Sequence, residues 1–109
     1  MNEKKFSFQV LRASNGCFLI ISEGEETKLG SMAFSVKVGD RANSISIIPS
    51  KFGDIYSRLF AEVTSMIVNG ISVVSLYIKA PIDTQIFKKL LNEIKDILKF
   101  ERPINQDNP

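Results

Sequence analysis

Apolar residues recur along this chain in two rhythms, and the change from one to the other falls near residue 50. Over residues 6–12, Phe6, Phe8 and Val10 alternate with Ser7 and Gln9, the period of a strand with one buried face. Asn15-Gly16 follows. Asn-Gly favours the positive φ angles of a type I′ turn, which predicts a two-residue loop pairing Ser14 with Cys17, Arg12 with Leu19 and Val10 with Ile21. The returning segment carries Cys17, Phe18, Leu19, Ile20 and Ile21 without a break, so both of its faces should be covered. After a polar loop at 23–27, Met32, Phe34, Val36 and Val38 alternate with Ser31, Ala33, Ser35 and Lys37, a third strand over 29–38. A turn at 39–43 leads into a fourth, short strand at 44–48, closed by Pro49.

Beyond residue 50 the spacing becomes three and four. Phe52, Tyr56, Leu59, Phe60, Val63, Met66 and Ile67 predict a helix with that apolar face turned inward, with Ser50 as its N-cap and Asn69-Gly70 as its stop. Residues 70–81, rich in β-branched side chains and bounded by Gly70 and Pro81, read as a fifth strand. Ile86, Phe87, Leu90, Leu91, Ile94, Ile97 and Leu98 predict a second helix, capped by Asp83 or Thr84. The fold class is therefore α+β: an antiparallel sheet of about five or six strands with two main helices packed on one face, in the order four strands, helix, strand, helix. A single domain is expected over residues 1–100, with a flexible, polar, proline-containing tail at 101–109.

Two helices can cover only one face of such a sheet. On the fifth strand the wholly apolar set Val74, Leu76 and Ile78 should meet the helices, leaving Ile71, Val73, Ser75 and Tyr77 on the other side. A second copy of the chain is the economical cover, giving a homodimer or a dimer of dimers.

The segment 8–20, FQVLRASNGCFLI, resembles the opening hairpin of the proteasome-assembly chaperones of the fourth type, and 28–32, KLGSM, resembles the next strand of those of the third type. The resemblance extends over roughly residues 6–99 through strand order and the two helices. It implies a small sheet-and-helix chaperone that pairs with a like subunit, here itself, and holds proteasome α subunits during ring assembly, without nucleotide or chemistry. Polar, glycine-containing loops outside the core are the natural grips for such a partner, which selects Glu23, Glu25 and Glu26 in one loop and Asp40 and Arg41 in another. A roadblock or longin-like adaptor, a platform for a GTPase or other protein complex, is the alternative. Four strands in succession at the start count against it.

Composition narrows the field further. Across 109 residues, 14 basic and 12 acidic side chains give a net charge of +2 with no basic run, so nucleic acid is not the expected partner. Phe6, Phe8 and Phe34 lack the flanking arginines and the strand order of a base-stacking platform. The chain has no histidine, and the lone Cys17 therefore has no histidine to activate it; with Tyr77 and Lys79 as the other isolated candidates, no enzyme is expected. Glu23, Glu25 and Glu26 lack the carbonyl and asparagine partners of a calcium loop, and no glycine-rich phosphate loop is present, so neither metal nor cofactor is expected. The start, with Met1-Asn2-Glu3-Lys4-Lys5, lacks an apolar leader, and no apolar run approaches the ~20 residues of a membrane span. A cytoplasmic protein with no membrane partner is the expectation.

Overall fold

A computed structural model describes residues 5–50 and 52–100, the side chain of Phe100 excepted. The tail predicted at 101–109 lies outside the described residues. Four strands, β1 (Phe6–Ala13), β2 (Gly16–Glu23), β3 (Ser31–Val38) and β4 (Arg41–Ile48), precede helix α1 (Asp54–Val68), strand β5 (Ile71–Tyr77) and helix α2 (Thr84–Phe100). The fold is α+β, and its element order is the one the periodicity predicts.

The sheet, however, is mixed and not purely antiparallel. Its spatial order is β1-β2-β5-β3-β4, with β5 parallel to β2 and antiparallel to β3. The chain builds two hairpins and leaves a gap between them, and β5 arrives from α1 to fill it. As the central strand it takes hydrogen bonds from both hairpins, which accounts for its dense apolar sequence.

The first hairpin is shifted from its predicted register. Arg12 pairs with Cys17 and Val10 with Leu19, so the two-residue loop is Ser14-Asn15 and Gly16 is already in β2. Positive φ among the described residues is confined to Gly24, Gly39 and Asn69, so the Asn15-Gly16 pair is not used as a type I′ turn. Close packing explains the glycine instead. A Cβ on Gly16 would lie 2.1 Å from the carbonyl oxygen of Ile71, and the Ile71 N–H donates to the Asn15 carbonyl at 2.9 Å. The turn is locked to the start of β5.

The start of α2 is as predicted, while both ends of α1 differ. Asp83 caps α2 through its Oδ1, which accepts the Ile86 N–H at 2.8 Å. α1 begins three residues later than Ser50 would set it: Ser50 Oγ accepts the Gly53 N–H at 2.9 Å, and Gly53, with no side chain to offer, occupies the cap position. At its other end Asn69, and not Gly70, adopts the left-handed conformation, with φ 58°.

α1 is turned relative to its predicted face. Its buried residues are Ser57, Phe60, Ala61, Thr64 and Ser65, while Leu59, Met66 and Ile67 are 38–40% exposed. Small residues let the helix backbone settle near β3 and β5, where the hydroxyl of Ser72 donates to the Ala61 carbonyl at 2.6 Å and Ser35 and Ser65 share a hydrogen bond at 3.0 Å. α2 follows its prediction: Leu90, Ile94 and Leu98 are buried, and Phe87 stacks on Phe60 at 5.2 Å between ring centroids. It lies over the β1–β2 side, where Arg12 Nη1 donates to the Leu98 carbonyl at 3.2 Å.

Candidate interaction surface

Strand register sorts every sheet residue onto one of two faces. On the helix side, Val10, Leu19, Val74 and Ala33 lie in one row and Cys17, Ser72, Ser35 and Ser44 in another. Crossing from β2 toward β4, large aliphatic side chains give way to small polar ones. Ser44 donates to Glu62 and Ser46 donates to Asp54 at 2.6 Å, so β4 meets α1 through hydroxyls and carboxylates.

The far side runs the other way. Met32, Phe34 and Val36 project there from β3, Ile45 and Ile48 from β4, Phe18 and Ile20 from β2, and Val73 from β5. Leu11 is 64% exposed and Ile45 61%. A five-stranded sheet with strands of seven or eight residues presents a projected face on the order of 600 Å². That approaches the ~800 Å² each partner contributes to a standard interface.

The predicted contact residues divide accordingly. Ile71, Val73, Ser75 and Tyr77 do lie on the far side, since Ser72 bonds to α1 and alternates with them. Ser75 is nevertheless closed off by its own chain. It is fully buried, and its Oγ accepts the Gly30 N–H at 3.0 Å. Gly30 can come this close only because it lacks a Cβ, which would sit 2.2 Å from the Leu76 carbonyl oxygen. Ser75 therefore leaves the set available to a partner, whereas Ile71 is exposed and Val73 and Tyr77 are half-buried.

The same segment explains the acidic loop. Ser22 Oγ donates to the Glu26 carbonyl and accepts the Lys28 N–H, both at 3.0 Å, and Gln9 Nε2 donates to Thr27 Oγ1 at 3.2 Å. Gln9, Ser22 and Ser75 are all far-side positions, so the loop at 24–30 folds over that face at the Glu23 end of β2. Glu23, Glu25 and Glu26 line an open cleft of about 300 Å³ with Lys28, Tyr77 and Lys79. Glu23 Oε1 accepts the Lys79 N–H at 2.8 Å, and Lys28 Nζ stands 5.4 Å from the Tyr77 ring centre. The acidic loop is thus the polar rim of the apolar face. Asp40, in the β3–β4 turn, and Arg41, which opens β4, sit at the opposite end of the sheet, so the two predicted grips do not form one site on a protomer.

Candidate chemistry stays dispersed. Cys17 is on the helix side and buried, which pushes its thiol from 9.0 up to about 11, an effect only partly opposed by the Arg12 guanidinium. Such a group is a poor nucleophile near neutral pH. Tyr77 and Lys79 share the acidic cleft at the far end of β2 from Cys17. Among the described residues no group of three His, Cys, Asp or Glu could hold a metal ion, and no helix is long and apolar enough to cross a bilayer.

The sequence reasoning missed the polar underside of α1. Its signal was present: Ser57, Ala61, Thr64 and Ser65 recur at helical spacing and form a second, small-residue stripe. No protein-family model and no curated protein matches the chain.

Proposed function

We propose that this chain is a non-catalytic scaffold that pairs with a second copy through the far face of its sheet and holds proteasome α subunits during ring assembly. The reversed polarity of β3 and β4 carries the first half of this reading. Their small, polar side chains turn toward the helix and their large apolar ones turn away from it, a pattern that suits a chain whose second core is supplied by a partner. The client comes from the resemblance of residues 8–20 and 28–32 to the proteasome-assembly chaperones of the third and fourth type. In this reading the partner's far face meets Phe18, Phe34 and Val73, and the rim at Glu25 and Glu26 borders the join.

Light scattering of the pure protein, combined with capture of purified proteasome α subunits, tests both halves. A dimer that retains α subunits supports the reading. A monomer at high concentration removes the pairing, and a dimer that passes over α subunits removes the client. Reversing charge at Glu25 and Glu26, or at Asp40 and Arg41, should weaken capture and leave the dimer intact. Unchanged capture by both variants would take the loops out of the gripping surface.

A further inference from the structure

α1 has two stripes, and the sheet uses only the one of small residues. On its outward side Ile55, Leu59, Val63 and Met66 recur at steps of four, four and three. Ile55 is 64% exposed, Leu59 and Met66 are exposed to a lesser degree, and Val63 is half-buried. The flank of α1 toward β4 is balanced in charge, since Arg58 and Glu62 both bond to the Ser44 hydroxyl. The other flank looks onto α2. Tyr56 and Phe60 meet Phe87 there, which fixes the side of α2 that turns to α1. At 100° per residue Leu91, Lys88 and Lys95 fall on that side and Glu93 and Asp96 on the opposite one. Lys88 and Lys95 are exposed, and neither is in an ion pair among the described residues.

The helices run the same way. Their starts meet at Phe87, and both end near the β1–β2 turn, α1 through Gly70 against Asn15 and α2 through Leu98 at Arg12. They therefore enclose a trough from Ile55 to Ile67, about 18 Å long, with an apolar floor and one basic wall. We propose that this trough receives an acidic amphipathic helix from another protein. Three turns of apolar floor suit a helix with anchors at every third or fourth position, and unpaired lysines along a single wall call for carboxylates on the flank beside them. A second copy fits less well, because the Arg58–Glu62 pair beside its own outward stripe brings the lysines no net acid. The trough is on the helix side of the sheet, so the inference does not rest on pairing through the far face.

Anisotropy titration with a labelled synthetic helix tests this, the probe carrying leucines along one stripe and glutamates elsewhere. A matched peptide with lysines in place of the glutamates is the control. The glutamate peptide should bind, and the double variant Lys88→Glu, Lys95→Glu should weaken it at least about tenfold and favour the lysine peptide. Both positions are exposed, so circular dichroism of the variant should be unchanged. Equal binding of the two peptides, indifference to the double variant, or no binding overturns the proposal. Amide shifts of the labelled protein should move along α1 and α2. Shifts confined to the far face overturn it. So do α1 shifts that follow protein concentration without peptide, which would make a second copy the occupant, and binding to phosphatidylserine vesicles in place of the peptide.

Discussion

The two faces of the sheet differ in what they ask of the side chains. Along β2 and the later part of β5 the helix side is ordinary core, with Leu19, Ile21, Val74 and Leu76 essentially inaccessible. Beneath α1 it is small and polar, with Ser31, Ser35, Ser57, Ser65 and Ser72 all buried. These hydroxyls find partners at short range, as in the donation from Ser31 to the Leu76 carbonyl at 3.3 Å, so burial leaves them satisfied. The far side reverses the arrangement, with Phe18, Phe34 and Met32 half-buried and Ile45, Ile48 and Ile71 exposed. Side-chain size on the covered side is set by how near α1 lies. On the far side no such limit operates, and its apolar content is what the proposed pairing would use.

The largest test of this contrast compares one phenylalanine from each side. Phe60→Ala, at a fully buried position in contact with Phe87, should cost about 3–5 kcal/mol in urea denaturation. Phe34→Ala, measured at protein concentrations low enough to hold the chain as a monomer, should cost less than about 1 kcal/mol. Equal losses would make the far side part of the monomer's own core and end the argument for a partner there.

Assembly should respond in the opposite sense. Val73→Glu would place a charge in the middle of the proposed join, a cost of about 3–5 kcal/mol when the charge has no partner. The dimer's dissociation constant should then rise by at least about a hundredfold, while circular dichroism of the monomer is unchanged. Ile71→Glu, at a residue 39% exposed at the start of β5, should do less. If the two variants were indistinguishable by sedimentation, the join would not be centred on β5.

How much of this was legible beforehand depends on whether a feature is local or long-range. Alternation in Phe6, Phe8 and Val10 and the three-to-four spacing from Ile86 to Leu98 are local patterns, and both elements formed as read. The parity of β5 was also readable, because Val74 and Leu76 outweigh the mixed set on its other side. Ser75 lies on the face its parity predicts, but its burial depends on Gly30, 45 residues away in sequence. The Asn15-Gly16 pair misled for the same reason: its glycine answers to the Ile71 carbonyl and not to the turn. For α1 the more apolar stripe reads as the inward one, whereas close approach to β3 selects the stripe of small residues. Parallel pairing of β2 with β5 depends on where a distant strand inserts, which no local pattern encodes.

Cys17 allows the ordinary half of the helix side to be probed by pH. Burial raises its thiol to about 11, so the folded chain keeps a proton that the unfolded chain releases near 9. Stability from this group is therefore complete below about pH 8 and declines between roughly pH 9 and 11, by on the order of 2–3 kcal/mol over the full interval. Lysines and tyrosines titrate in the same range, so the informative quantity is the difference between wild type and Cys17→Ala. The wild type should lose stability more steeply with rising pH. Parallel curves would place the thiol in contact with solvent and contradict its assignment to the core.

The small-residue half of that side yields the finest test. Thr64 on α1 is fully buried, and its Oγ1 has no hydrogen-bond partner, unlike the neighbouring serines. Valine has nearly the same shape without the hydroxyl, so Thr64→Val removes a desolvated polar group and leaves packing in place. A gain of about 1–2 kcal/mol is expected, visible as a higher urea midpoint at unchanged slope. Ser35→Ala should move the midpoint the other way by about 1 kcal/mol, since it breaks the bond to Ser65. The opposite signs matter more than the sizes. They would show that α1 is held by satisfied hydroxyls and not by the mere presence of small side chains, whereas a loss at Thr64 would mean that a water inside the α1 interface completes its hydrogen bonding.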